Sequence, residues 1–354
     1  MTQPAARPII GTGDDILPIV RWLFAIAALV FTIVVVGGIT RLTESGLSIT
    51  EWKPVTGTLP PMSEKGWLEE FEAYKKIPQY TQVNGPAGMT LDAYKTIYFW
   101  EWLHRLLARL VGLAFALPLA SFWLRRMIPP GYKPRLLALL ALGGLQGAVG
   151  WWMVSSGLTQ DVKVSHFRLA IHLTVALVTL GALIWTALDL LELRRGNRSA
   201  RLTRFSGVVL AMLLIQLVAG ALVAGLRAGF VAGGGWFNWG SWPLMQGQAF
   251  PAGVDLSAGA IHALANDPYL THFFHRWWAF AVVAALIVMA RRLRAARRRD
   301  VSIAIHSAFG TQILLGIATI WSGIAIWLAV AHQLMGALLV AATVWGAHVL
   351  GRER

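Results

Sequence analysis

The chain contains no cysteine in 354 residues. That excludes a disulfide scaffold, thiolate zinc sites and thiol catalysis. Charge is also scarce: 14% of residues are charged, against roughly 25% in an ordinary soluble domain. Acid is scarcer than base, with 17 Asp plus Glu against 31 Lys plus Arg, a formal net charge of +14. The bulk is apolar: 56% of residues are AVILMFWYC, and 17 are tryptophan. Intrinsic disorder is thereby excluded, because it requires low hydrophobicity. A basic excess usually points to nucleic acid. In a chain this apolar it has a second reading, as the cytoplasmic loops of a membrane protein.

A membrane-spanning helix needs about 20 mostly apolar residues. Eight stretches qualify: Trp22–Ile39, Ile97–Trp123, Leu136–Val154, His166–Leu188, Phe205–Leu226, Pro268–Ala290, Val301–Trp321 and Ile324–Leu350. The opening MTQPAARPIIGTGDD does not read as a signal peptide, since two acids precede the first span and no small-residue cleavage site follows it. Basic residues set the orientation. Of the 31, 17 fall in the loops after spans two, four and six and at the C-terminus, including Arg194, Arg195 and Arg198 and the run Arg297–Arg299. The opposite loops are long and not basic; that of about 227–267 holds only Arg227, Asp255 and Asp267. The expectation is a multi-pass membrane protein, both termini cytoplasmic, embedded in the lipid bilayer and binding no nucleic acid.

The second four spans resemble the first four. EWLHRLLARLVG in span two matches HFFHRWWAFAV in span six, aligning His104-Arg105 with His275-Arg276. Gln146 in span three matches Gln312 in span seven, and His172 in span four matches His332 in span eight. The exit of span one loosely matches that of span five, with Gly46 opposite Gly229. Four spans return the chain to its starting side, so both halves share one orientation. The expected fold is an all-α integral membrane protein of eight helices, forming two pseudo-twofold-related four-helix bundles. The halves divide as 1–200 and 201–354.

Four of the nine histidines occupy matched positions: His104, His172, His275 and His332. Each lies roughly six to nine residues below its span's outer start, or about 9–14 Å deep. Two histidines at one depth on two helices of a bundle can ligate a porphyrin from both faces. The alternative is a histidine that hydrogen-bonds inside the bundle or lines a wet cavity. His306 and His348 lie near the cytoplasmic ends, His166 at the outer entrance of span four, and His262 in a loop. His272, three residues before His275, is a secondary polar candidate on roughly the same helix face.

The two halves differ at one telling position. Where the second has His272, the first has Glu101, three residues before His104. A carboxylate beside a haem edge can stabilise developing positive charge or move protons; the other reading is an outer-interface Glu paired with Arg105 or a loop lysine. Arg41, Arg105, Arg109 and Arg276 are candidates for haem propionates, which Arg can bind bidentately, or they snorkel to the headgroups. The glycines of spans three and seven read as close-packing points. Trp236, Trp239 and Trp242 read as an interfacial flap.

GGITRLTESGLSITEWKPVTGTLPP at Gly37–Pro61, EWLHR at Glu101–Arg105 and the four matched histidines together resemble haem A synthase. The resemblance runs from about Val20 to Leu350, and the long first loop is similar to the alphaproteobacterial and mitochondrial branch. It implies oxidation of the C8 methyl of haem O to a formyl group, giving haem A for cytochrome oxidase. It implies that His104 and His172 ligate the substrate haem O, that Glu101 is catalytic, and that His275 and His332 ligate a resident haem b. The implied partners are haem O synthase upstream and cytochrome oxidase assembly factors downstream. Another branch carries a cysteine pair in the first outer loop; here that loop has none and must act by shape, charge or docking.

Two rivals remain at the level of sequence. A non-catalytic di-haem electron carrier would carry ligand pairs about 13 or 14 residues apart on shared helices, and no span here does. A haem or lipid transporter would not need Glu in one half and His in the other. The electron acceptor, the source of the formyl oxygen and the oligomeric state, a homo-oligomer included, are open at this stage.

Overall fold

The computed structural model describes residues 16–53, 56–159 and 161–352. The stretch MTQPAARPIIGTGDD and Arg354 lie outside the described residues. Eight helices are long and apolar enough to cross a membrane: α1 (Leu17–Leu42), α3 (Leu91–Leu124), α4 (Lys133–Thr159), α5 (His166–Arg194), α6 (Arg204–Leu226), α8 (Pro268–Ala295), α9 (Arg299–Trp321) and α10 (Ile326–Leu350). Two short helices, α2 (Glu64–Tyr74) and α7 (Ala260–Asn266), lie in the two long loops. Among the described residues no β-strand is formed beyond one isolated bridge, Met245 to Gln248.

Capping residues explain several starts. Thr90 accepts from the Ala93 amide, so α3 begins six residues before the expected Ile97. Thr203 caps α6 in the same way, through Ser206. Asp267 caps α8 through Leu270, with Pro268 at the first helical position, where its missing N–H costs nothing. The exits of α1 and α6 carry left-handed residues at equivalent places, Glu44 and Arg227, both at φ 55°. These two non-glycine residues form an ion pair of 2.9 Å with each other. The pairing follows the same offset that sets Gly46 opposite Gly229.

The packing repeats. α1 lies against α3 and α4 against α5; α6 lies against α8 and α9 against α10. The halves meet where α5 touches α6 and α10, and where α1 touches α10. This is consistent with two related four-helix bundles. One apolar core is continuous through all eight spans and includes Leu23, Leu136, Leu180, Leu286, Ile305 and Ala337. It is concentrated at the arginine-rich end, towards the start of α4, α6 and α9 and the finish of α3, α5, α8 and α10. A second core, with Leu47, Phe71, Tyr74, Tyr94 and Tyr98, sits at the long-loop end and holds the first loop on α3. His104 and His172 fall between these two cores, and His275 and His332 lie at the long-loop edge of the first, whose members on α8 and α10 follow them.

Candidate functional site

His104 on α3 lies between Tyr98 of the loop-end core and Phe115 of the main core. His172 on α5, His275 on α8 and His332 on α10 occupy the same level of their helices. Each lies deep among protein atoms yet keeps some accessible surface, as a side chain lining an internal cleft does. His104 and His172 are near enough to feel each other's charge, and so are His275 and His332. The structure therefore brings the four together as the two pairs expected. Among the described residues no three of His, Cys, Asp and Glu converge on a metal site.

Every one of the four rings rests against a glycine of a neighbouring helix. A Cβ at Gly37 would lie 3.2 Å from His104, at Gly150 3.0 Å from His172, at Gly220 2.9 Å from His275, and at Gly316 3.0 Å from His332. The glycines give the rings room to lie against helix backbone, which limits how they can turn. The expected close packing in α4 and α9 thus serves the histidines themselves. These features fit haem: paired half-buried rings, a glycine cradle behind each, and no carboxylate competing for their nitrogens.

Three glutamines complete the surroundings. Gln146 Nε2 lies 3.1 Å from His172 Nδ1 and donates to the His172 carbonyl at 3.0 Å. Gln216 repeats both contacts with His275, at 3.1 and 3.0 Å. Gln312 Nε2 lies 3.3 Å from His332 Nε2, and His332 Nδ1 donates to the Gln312 carbonyl at 3.1 Å. The sequence comparison found Gln146 and Gln312 and missed Gln216. The signal was present as Gln-x-x-x-Gly at 146–150, 216–220 and 312–316, which puts both residues on one helix face. In α1 the residue four before Gly37 is Ile33.

Glu101 is 2% exposed. Its carboxylate accepts from Ser48 Oγ and the Ile49 amide, both at 2.8 Å, and from Arg105 at 2.6 Å. Arg105 also donates to the carbonyls of Ile49 and Glu51, and Arg109 to that of Lys53. Together they pin the first long loop to α3. A cavity of about 320 Å³ lies under that loop, lined in part by Glu51, Lys53, Glu70, Tyr98, Arg105 and Arg109. The Glu51 carboxylate, and Glu70 beside it, hold the Lys53 ammonium above its usual range.

The second half makes the equivalent anchor with different chemistry. His272 Nδ1 donates to the Ala228 carbonyl at 2.7 Å, and its Nε2 accepts from Arg276 at 3.1 Å. Both ring nitrogens are engaged. Arg276 donates to the carbonyls of Ser241 and Leu244, which fixes the loop carrying Trp236, Trp239 and Trp242. Trp236 and Trp239 stay well exposed. Arg41 donates to the carbonyls of Ala224 and Gly225 at the end of α6. Among the other histidines, His348 binds Asp189 at 2.9 Å, His306 donates to the Ser302 carbonyl and His166 meets Asn266.

Residues 20–344 match the model of the COX15-CtaA family, described as "Cytochrome oxidase assembly protein". The chain is 65% identical to the "Heme A synthase" of Novosphingobium aromaticivorans over 350 residues, covering 99% of this chain and 100% of that protein. It is 54% identical to the "Heme A synthase" of Erythrobacter litoralis over 341 residues, covering 96% and 98%. It is 53% identical to that of Sphingopyxis alaskensis over 335 residues, covering 94% and 92%. With eight spans, paired histidines and a match along nearly its whole length, the chain belongs to the COX15-CtaA family of cytochrome oxidase assembly proteins.

Proposed function

We propose that this chain is a membrane oxidoreductase that converts haem O to haem A by oxidising the C8 methyl to a formyl group. The observation that carries this reading is the set of four glycine-backed histidines, one pair in each half. The near-complete match to proteins named "Heme A synthase" supports the substrate.

In the first half, residues 1–200, His104 and His172 hold the substrate haem O from opposite faces. The substrate's long apolar tail partitions into lipid, so entry is lateral. Sparser contact between α3 and α4 than between α8 and α9 supports entry there, and α4 is the least buried span. In the second half, residues 201–354, His275 and His332 would hold a resident haem b. That group would supply one-electron transfer when bound.

Glu101 sits one turn above His104 at the mouth of the first pair, with Arg105 and the Ile49 amide fixing its oxygens. The carboxylate stabilises positive charge developing on the methyl as it is oxidised towards the formyl group. The equivalent His272 is neutral, with both nitrogens engaged, and cannot do the same. Arg41, Arg105, Arg109 and Arg276 lie at the level where propionates would emerge. The arginine-rich end faces the cytoplasm of the bacterial inner membrane and places both termini there. Haem O synthase supplies the substrate, and cytochrome oxidase assembly receives the product.

The test is haem extraction and chromatography on the purified protein, with and without co-expressed haem O synthase. Haem b with haem O or haem A supports the reading; haem b alone under both conditions overturns it in favour of an electron carrier. His275→Ala and His332→Ala are expected to remove the haem b spectrum.

A further inference from the structure

The glutamines beside the histidines have no part in the chemistry above, and they are unequally distributed. Three of the four histidines have one and His104 does not. We infer that Gln146, Gln216 and Gln312 are positioning residues that lock His172, His275 and His332, and that the absent fourth amide leaves His104 as the one ligand free to let go. The inference rests on the proposed haem ligation.

Each glutamine reaches its histidine from the turn that precedes the cradling glycine, so ring and backbone are held from one helix. At His172 and His275 the amide nitrogen grips the carbonyl at 3.0 Å and lies 3.1 Å from Nδ1. At His332 the Gln312 carbonyl takes the Nδ1 proton at 3.1 Å and the amide flanks the ring's other edge at 3.3 Å. A second observation points the same way. The side-chain oxygens of all three glutamines are buried without a hydrogen-bond partner. An imidazole bound to iron through Nε2 carries its proton on Nδ1, and that proton needs an acceptor. Rotating the amide of Gln146 or Gln216 brings the unpartnered oxygen to it in exchange for the bond from Nε2 to the carbonyl. His332 already has its acceptor in the Gln312 carbonyl.

His104 differs on each count. Among the described residues nothing hydrogen-bonds its ring. The place of the glutamine is taken by Ile33, which has neither donor nor acceptor. The second half therefore has two locked ligands and the first half one. A substrate site must release its product, and a resident haem must stay.

Full-length protein purified in detergent tests this through haem transfer to excess apomyoglobin, followed optically. Outer-shell partners of this kind change metal affinity by about 10–100-fold. Gln216→Leu and Gln312→Leu are expected to speed loss of haem b by about tenfold or more and to broaden its low-spin EPR signal. Gln146→Leu is expected to speed release of haem O with haem b unaffected. Ile33→Gln, which supplies the missing amide, is expected to slow haem O release by about tenfold. If Ile33→Gln does not accumulate, the Gln216→Leu and Gln312→Leu rates decide alone. Rates equal to the parent's in those two variants, while His275→Ala loses haem b, overturn the inference and leave the ligation reading standing. Retention of haem b by both His275→Ala and His332→Ala overturns the ligation reading, and the inference with it.

Discussion

At the scale of single residues, the small side chains around the histidines matter as much as the histidines. Gly220 and Gly316 are positions where a Cβ would lie 2.9 and 3.0 Å from a ring, the first closer than real contacts allow and the second tighter than nearly all of them. Gly220→Ala and Gly316→Ala are expected to displace the ring and lower haem b content, read from the absorbance of the purified protein. Gly310, on α9 like Gly316, would have no atom within 4 Å of its Cβ. Gly310→Ala is expected to keep full haem content. Glu101 is the other decisive residue, because three donors converge on its two oxygens. Removing one partner of a buried ion pair costs about 3–5 kcal/mol. Since Arg105 keeps some exposure, Glu101→Ala is expected near the lower end, about 3 kcal/mol, read as faster proteolysis of the first loop. Glu101→Gln keeps the shape and removes the charge, and is expected to abolish haem A output in cells; unchanged output would remove the catalytic role.

At the scale of elements, the first long loop is a folded cap. α2 is capped by Ser63 and lays Phe71 and Tyr74 on Tyr94 of α3. Tyr74 is fully buried, and its hydroxyl joins Gln79 at 3.0 Å and Asn84 at 2.6 Å. Burial pushes the phenol up to about 12, against about 10 in an unfolded chain. The folded pKa is raised, so the cap gains from the neutral phenol below about pH 10 and loses that gain as pH rises towards 12. Tyrosinate absorbance and loop proteolysis are expected to rise together across that window, and Tyr74→Phe is expected to remove the Tyr74 part of the absorbance change. The sequence showed a long loop of mixed charge. It did not show a cap, because the apolar residues that build it are dispersed along 47–98 and meet only when α2 folds back on α3.

At the scale of the whole molecule, the arginine-rich end is an ionic lock as well as a topological signal. Asp189, wholly buried, accepts from Arg135 at 2.6 Å, His348 at 2.9 Å and the Ala200 amide at 3.0 Å. Glu192 is held by Arg195, Asn197 and Arg352. These contacts tie α4, α5 and α10 together, and the repeat has no counterpart for them: the residue matching Asp189 is Val349. Asp189→Asn is expected to cost about 3–5 kcal/mol, seen as a lower unfolding temperature in detergent, with haem content per folded molecule unchanged. The halves are also joined by Arg41 capping α6, by Glu44 with Arg227 and by Gln333 donating to Val34. The two four-helix units therefore share one core.

The sequence by itself determined what depends on local pattern. Eight apolar runs, the loop bias of Lys and Arg, the twofold repetition of four spans and the depth of His104, His172, His275 and His332 can all be counted along a chain. Only the tertiary structure decided what depends on contact between distant segments. It turned Gly150 of α4 and Gly316 of α9 from packing points into seats for imidazoles, and it brought Gln216 to His275 across 59 positions. It also showed that Arg41, Arg105 and Arg276 each donate to loop or helix carbonyls. Hydrophobic periodicity is set by transfer from water and is written into every span. The direction of an amide or a guanidinium is set by whichever acceptor the fold places within about 3 Å, and that acceptor is named nowhere in the segment that carries the donor.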